Sequence, residues 1–228
     1  MEAIILAGGK GSRMESEYPK ALTPIKNRTI LDLQLYYLFS HGVNRALLAL
    51  GYGSNDIINH VEREWKGYVE NNRYEIIYSV ETSQAGTAGA LKLALEHCKD
   101  PYVLVLNCDD IADIDIASLY ARQKNTICVA HPRLPFGLVR QGDNGYAEFV
   151  EKPRINNMWV SCGWYLISRH EQKYLPDQGS LEEDVFQKRR VRLTIFEHYG
   201  FWMPINTRKD VEEFEKSELP EIFKDYLS

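Results

Sequence analysis

The run MEAIILAGGKGSRMESEYPKALTPI, Met1 to Ile25, decides how the rest of the chain is read. Ala3, Ile4, Ile5, Leu6 and Ala7 form a short continuous apolar stretch ending in glycines, the pattern of a strand buried on both faces of a parallel sheet. Gly8, Gly9 and Gly11 let the backbone turn tightly and bring bare N–H groups close to a ligand. Lys10, Arg13 and Lys20 fall within the same few residues. A strand, a glycine loop and converging cations make an anion site suited to phosphate. The loop is no Walker A sequence, since no Gly-Lys-Ser/Thr closes a four-residue spacer, and it does not fit GxGxxG.

Working outward, the chain alternates strands and helices. Residues 30–40 carry Leu31, Leu33, Leu35 and Leu38 with Tyr36, Tyr37 and Phe39, which predicts a well-buried helix. Residues 45–50, 74–80 and 102–106 read as buried strands, and 55–65 and 84–95 as helices between them. This spacing predicts an α/β, Rossmann-like fold: a mixed, mainly parallel sheet flanked by helices, with ligands at the carboxyl ends of the strands. Beyond residue 127 the texture becomes β-rich. Strands are expected at 127–131, 136–140, 146–150, 159–167 and 193–197, a hairpin turn at Gly142-Asp143-Asn144-Gly145, and helices at 181–188 and 209–216.

With 228 residues and no repeat or linker, the chain is expected to form one domain over 1–228. A net charge of −5 argues against a general nucleic-acid binder. No apolar run is long enough to span a membrane, and the first leads straight into the glycine loop rather than forming a signal peptide. A cytoplasmic protein with no membrane partner is the expectation. The scattered Cys98, Cys108, Cys128 and Cys162 suit buried free thiols, and neither they nor the six histidines have the spacing of a zinc site.

Gly8-Gly9-x-Gly11-x-Arg13 followed by Pro19-Lys20-x-Leu22-x-Pro24 resembles the signature of the sugar-1-phosphate nucleotidylyltransferases. Further runs follow in that family's order: Glu81-x4-Gly86-Thr87, Asn107-Cys108-Asp109, Phe136-Gly137, Phe149-Val150-Glu151-Lys152-Pro153 and Gly200-Phe201-Trp202 onward to Thr207. The resemblance implies a reaction of a nucleoside triphosphate with a sugar 1-phosphate to give a nucleotide sugar and pyrophosphate. It implies a nucleotide-binding half at about 1–126 and a sugar-phosphate-binding half at about 127–228.

The same resemblance distributes roles. Leu6, Ala7, Gly8, Gly9, Gly11, Ser12, Arg13 and Lys20 would hold the nucleotide, with Glu81, Gly86 and Thr87 on its base. Asn107, Gly137, Glu151, Lys152, Gly163 and Trp202 would bind the sugar phosphate. Asp109 and Asn206 would bind Mg²⁺, and Arg13, Lys20, Asp109 and Lys152 would carry the catalytic charges. A carboxylate at Glu81 only accepts hydrogen bonds, which matches the paired donors of guanine and leans toward GTP.

Three departures stand out. Ser161-Cys162-Gly163 occupies a place where relatives usually carry Asn-Ala-Gly. Pro204 replaces the aspartate of W-x-D-I-G-T. Phe196 to Thr207 is instead close to the G-F-W-x-P-M-D-T run of glucose-1-phosphate cytidylyltransferases, with Asn206 for the aspartate, which favours CTP. An amide oxygen ligates Mg²⁺ without charge, so weaker metal binding is expected. These departures leave open a cytidylyltransferase acting on a non-sugar phosphate and a non-catalytic nucleotide-sugar sensor. Asp110, Asp113 and Asp115 are expected to cap the next helix or face water. Tyr36, Tyr37, Phe223 and Tyr226 read as core, with a homo-oligomer contact as the alternative.

Overall fold

The opening apolar run forms a strand in the middle of a seven-stranded sheet. The structure, a computed structural model, describes residues 1–11, 14 and 18–228. In chain order its elements are β1 (Glu2–Leu6), β2 (Pro24–Ile25), β3 (Arg28–Thr29), α1 (Ile30–Ser40), β4 (Arg45–Leu50), α2 (Ser54–Glu64), α3 (Lys66–Asn72), β5 (Glu75–Val80), α4 (Gly86–Leu95) and β6 (Tyr102–Asn107). There follow β7 (Asp110–Ala112), α5 (Ile116–Ala121), β8 (Thr126–Ala130), β9 (Leu138–Gln141), β10 (Ala147–Val150), β11 (Val160–Ser168), β12 (Thr194–His198), β13 (Trp202–Pro204), α6 (Arg208–Lys216) and α7 (Glu221–Leu227).

The sheet order is β12-β8-β11-β6-β1-β4-β5. β1 pairs in parallel with β4 and β6, β4 with β5, and β8 with β12. β11 runs against both β6 and β8, so one antiparallel strand sits in an otherwise parallel sheet. This is the mainly parallel α/β architecture expected from the alternation of elements. From β1 the chain steps outward through β4 and β5, then β6 returns to the other flank of β1. Such a reversal opens a crevice at the carboxyl ends of the strands.

Alternation along each strand explains why these runs read as continuously apolar. Ile4, Leu47, Val103 and Val105 face the layer that contains Leu91 of α4, whereas Ala3, Ile5, Leu48, Leu104 and Leu106 face the layer of Leu31 and Leu35 of α1. All are fully buried, so neither face tolerates polar residues. Helix α1 spans the expected 30–40 and opens with a capping box in which Thr29 and Asp32 satisfy each other's backbone. Asp32 also accepts from Trp65 Nε1 at 2.7 Å and meets His60 Nε2 at 2.9 Å, tying α2 to α1. Burial alone would raise the Asp32 pKa, but the hydrogen bonds from His60, Trp65 and Thr29 outweigh it and hold the group below its ordinary value.

The hairpin forms where expected: Gly145 N–H donates to Gly142 O at 2.9 Å, and β9 and β10 pair apart from the large sheet. The expected 181–188 helix is only a short helical turn, Leu181–Phe186. The small β7–β13 pair has no counterpart in the sequence reading. No helix among the described residues is long and apolar enough to cross a membrane. Helix α7 closes the α1 face. Tyr226 stacks on Tyr36 with centroids 4.1 Å apart, and Phe223 lies 5.3 Å from Tyr37, so Tyr37 and Phe223 are core and the half-buried Tyr36 and Tyr226 pack on its edge. Because Phe223 is fully buried, Phe223→Ala should lower stability by about 3–5 kcal/mol and Tm by about 10 °C. A thermal melt unchanged by the substitution would contradict the docking of α7.

Candidate active site

At the end of β1 the backbone turns through Ala7, Gly8 and Gly9. Gly8 packs directly on the turn after β4: its carbonyl accepts from Tyr52 N–H at 3.1 Å, and a Cβ on it would lie 3.1 Å from Gly51 N. Gly11 has φ +68°, and a Cβ there would sit 2.8 Å from Lys20 Cβ. The missing side chain therefore lets the stem of Lys20 lie across the loop. Lys20 donates from Nζ to the Asp109 carboxylate and to Asn206 Oδ1, the latter at 2.9 Å. Asp109 follows β6 and Asn206 follows β13, so one ammonium joins three distant segments.

These residues line a cavity of about 470 Å³ at the carboxyl ends of β1, β5 and β6. Leu6, Ala7, Gly8, Gly9, Gly11 and Lys20 line it from β1 onward, with Glu81, Gly86 and Thr87 following β5 on one flank of β1, Asn107 and Asp109 at the end of β6 on the other, and Asn206 after β13. Gln84 and Glu182 also line it, and neither belongs to the expected set. Ser12 and Arg13 lie outside the described residues. Gly137, Glu151, Lys152, Gly163 and Trp202 do not line the cavity. Lys152 Nζ donates to Glu213 Oε1 of α6 at 2.6 Å, and the Phe149 ring covers Gly137, where a Cβ would be 2.1 Å from Cζ.

Glu81 is held against backbone on two sides. Its Oε2 accepts from Ala85 N–H at 3.0 Å, and a Cβ on Gly51 would fall 2.2 Å from its Oε1. Gly86, at φ +69°, admits the carbonyl of Gly179, which a Cβ would approach to 2.4 Å. Ala88 N–H donates to that carbonyl at 2.9 Å, and Thr87 Oγ accepts from Leu181 N–H at 2.8 Å. The Gly-Thr pair thus anchors the segment at 179–182 over the start of α4.

Asp110 departs from expectation. Where a cap or a solvent-facing group was expected, Asp110 is half-buried and its carboxyl accepts from Trp202 Nε1 at 3.0 Å and Asn107 Nδ2 at 3.1 Å. The cause is the β7–β13 pairing, which carries Asp110 inward opposite Pro204. Gly163, at φ +75°, leaves the space: a Cβ would be 2.0 Å from Asp110 Oδ2. Burial, then the neighbouring Asp109 charge, push the Asp110 pKa up to about 7. Asp115 caps α5 as expected, accepting from Ser118 N–H at 3.0 Å, and Asp113 accepts from Phe201 N–H at 2.6 Å.

The oxygens of Asp109 and Asn206 already converge on a cation, the Lys20 ammonium. An all-oxygen pair of this kind fits a hard divalent cation. No group of three or more His, Cys, Asp or Glu side chains placed to hold a metal occurs among the described residues, so ligand oxygens would have to complete the shell.

The sequence profile of the nucleotidyl transferase family matches residues 2–184. The chain belongs to that family. A D-glycero-alpha-D-manno-heptose 1-phosphate guanylyltransferase of Campylobacter jejuni is 30% identical over 212 residues, 87% of this chain and 92% of that protein. A probable glucose-1-phosphate cytidylyltransferase of Bacillus subtilis is 28% identical over 243 residues, covering 95% of each. Among solved structures, HddC of Yersinia pseudotuberculosis, complexed with GMP-PN, has the same fold, with TM-score 0.73 and 23% identity over 93% of this chain and 96% of that one. The chain is therefore a nucleotidyltransferase of the sugar-1-phosphate group, as its motifs implied, in a family that generally uses a divalent metal.

The raised pKa of Asp110 makes stability depend on pH. Between about 4 and 7 the folded state holds a proton here that the unfolded state has lost, so this group's contribution falls as pH rises through that window. Asp110→Asn loses a matched acceptor but does not titrate. Its unfolding free energy relative to the parent, measured by denaturant titration without metal, should rise from pH 5 to pH 8 by an amount on the order of a few kcal/mol. A difference independent of pH would contradict the assignment.

Proposed function

We propose that this chain joins GTP or CTP to a sugar 1-phosphate with Mg²⁺, releasing pyrophosphate, and that the cavity under the glycine loop is where it does so. The observation that carries the reading is the meeting of Lys20, Asp109 and Asn206 at the foot of that loop. A phosphate oxygen of the sugar phosphate attacks the α-phosphorus in line, and the bond from that phosphorus to the leaving pyrophosphate breaks. A phosphate monoester is largely ionised at neutral pH, so no general base is needed. The barrier lies in bringing two polyanions together, which cations and N–H donors lower.

The N–H groups of Gly8, Gly9 and Gly11, with Ser12 and Arg13, receive the triphosphate. Lys20 moves from its carboxylate partner to bridge phosphates. Asp109 and Asn206 would hold Mg²⁺, which supplies charge neutralisation on the phosphate oxygens. Glu81, backed by Ala85 and Gly51, meets the base beside Gly86 and Thr87, and its acceptor-only carboxylate supports guanine over cytosine. With its amide N–H₂ on Asp110, Asn107 keeps its carbonyl oxygen to accept from a hydroxyl of the sugar phosphate. Gly163 and Trp202 act through Asp110, and Lys152, with Glu151 and Gly137 beside it, reaches the sugar phosphate on leaving Glu213. On this reading the nucleotide is held mainly by residues within about 1–126 and the sugar phosphate mainly by residues within about 127–228. Four buried free thiols support a reducing cytoplasmic setting.

Pyrophosphate release from a panel of GTP and CTP with glucose, mannose and heptose 1-phosphates tests the reading. One pairing should turn over, and Asp109→Asn and Arg13→Ala should each lower its kcat about 10²–10³-fold with the fold retained. No pyrophosphate from any pairing, or full turnover by Asp109→Asn, would overturn it.

A further inference from the structure

One cavity carboxylate has no part in the steps above. Glu182 lines the cavity from the turn Leu181–Phe186, and its place is well defined. Gly179 N–H donates to Ala85 O at 2.9 Å, and Leu181 N–H to Thr87 Oγ at 2.8 Å, so the backbone around it is fixed to the start of α4. The carboxylate itself is gripped by two hydroxyls. Ser180 Oγ donates to Oε2 at 2.9 Å, and Tyr165 O–H donates to Oε1 at 3.3 Å. Tyr165 is buried on β11, and its hydroxyl lies 3.2 Å from Ser161 Oγ, which accepts from Gly163 N–H at 3.3 Å. Ser161, one of the departures from the family's pattern, thus has a place in a hydroxyl chain that ends on Glu182.

No ion pair to Glu182 occurs among the described residues, in a cavity otherwise built for polyanions. A carboxylate without a cation repels phosphate and can only accept hydrogen bonds, and with Glu81 proposed for the N–H donors of the base, the donors left for Glu182 are ligand hydroxyls. Two hydroxyl-bearing units take part in the reaction, the ribose and the sugar. Glu81, the proposed base contact, stands just past β5, whereas Tyr165 stands on β11, beyond β6 on the other side of Asp109. The Glu182 carboxylate reaches to that second side.

We infer that Glu182, oriented by Tyr165 and Ser180, accepts hydrogen bonds from hydroxyls of the sugar 1-phosphate and so selects the sugar. The inference rests on the proposed reaction. Its test is steady-state kinetics of the full chain on the nucleotide and sugar phosphate pair that the unsubstituted enzyme turns over. Glu182→Gln should raise KM for the sugar phosphate about 10- to 100-fold and leave KM for the nucleotide unchanged. Tyr165→Phe, which keeps the buried ring, should raise the same KM by less. With a deoxy analogue lacking the recognised hydroxyl, parent and Glu182→Gln should become equal. A rise in nucleotide KM alone would assign Glu182 to the ribose and overturn the inference, as would unchanged KM values in both variants. If the unsubstituted enzyme turns over no pair, the proposed reaction falls first.

Discussion

A single ammonium holds the cavity together. Lys20 Nζ donates at once to a carboxylate after β6 and an amide oxygen after β13, so it ties the N-terminal loop to the middle and the end of the chain. Partial burial of such a pair is weak evidence for stability, because desolvation offsets much of the attraction. Its value lies in placement. On the proposed reading, a cation is kept where phosphates arrive and two oxygens are kept converging for a divalent ion.

Around that bridge, the polar groups are placed by close backbone approaches that depend on missing side chains. Gly51 gives room to Glu81, Gly163 to Asp110, and Gly86 to the carbonyl of Gly179. Each allows a group from a different element to come close beside the cavity or behind it, so the site is assembled from tertiary contacts and not from one loop. Asp110 shows the consequence. It takes a donor each from Asn107 and Trp202, while Asp109 beside it holds Lys20.

The sheet and much of the cavity lining were legible in the sequence because buried strands read as unbroken apolar runs. The glycine loop, Glu81, Gly86, Asn107 and Asp109 follow such runs at their carboxyl ends. What was not legible depends on contacts remote in sequence. Leu181 meets Thr87 across 94 positions, and nothing in Leu181-Glu182-Glu183-Asp184 sets Glu182 apart from a solvated helix face. β7 and β13 are three residues each, too short for a period, so the burial of Asp110 had no local sign. Gly86 and Gly163 were read as ligand contacts, and the close approaches found there are those of the Gly179 carbonyl and the Asp110 carboxylate. Lys152 sits in its expected run, but its partner Glu213 comes from a helix 61 positions away.

The central claim is that the oxygens now holding Lys20 are those that hold the metal on the triphosphate. Anomalous scattering from crystals grown with Mn²⁺ and a non-hydrolysable GTP or CTP analogue tests it most directly. The account predicts one peak within bonding distance of Asp109, close to Asn206 and to phosphate oxygens, with the Lys20 ammonium moved onto phosphate. A metal bound away from Asp109, or nucleotide bound with the Lys20–Asp109 pair intact and no metal between them, would contradict it.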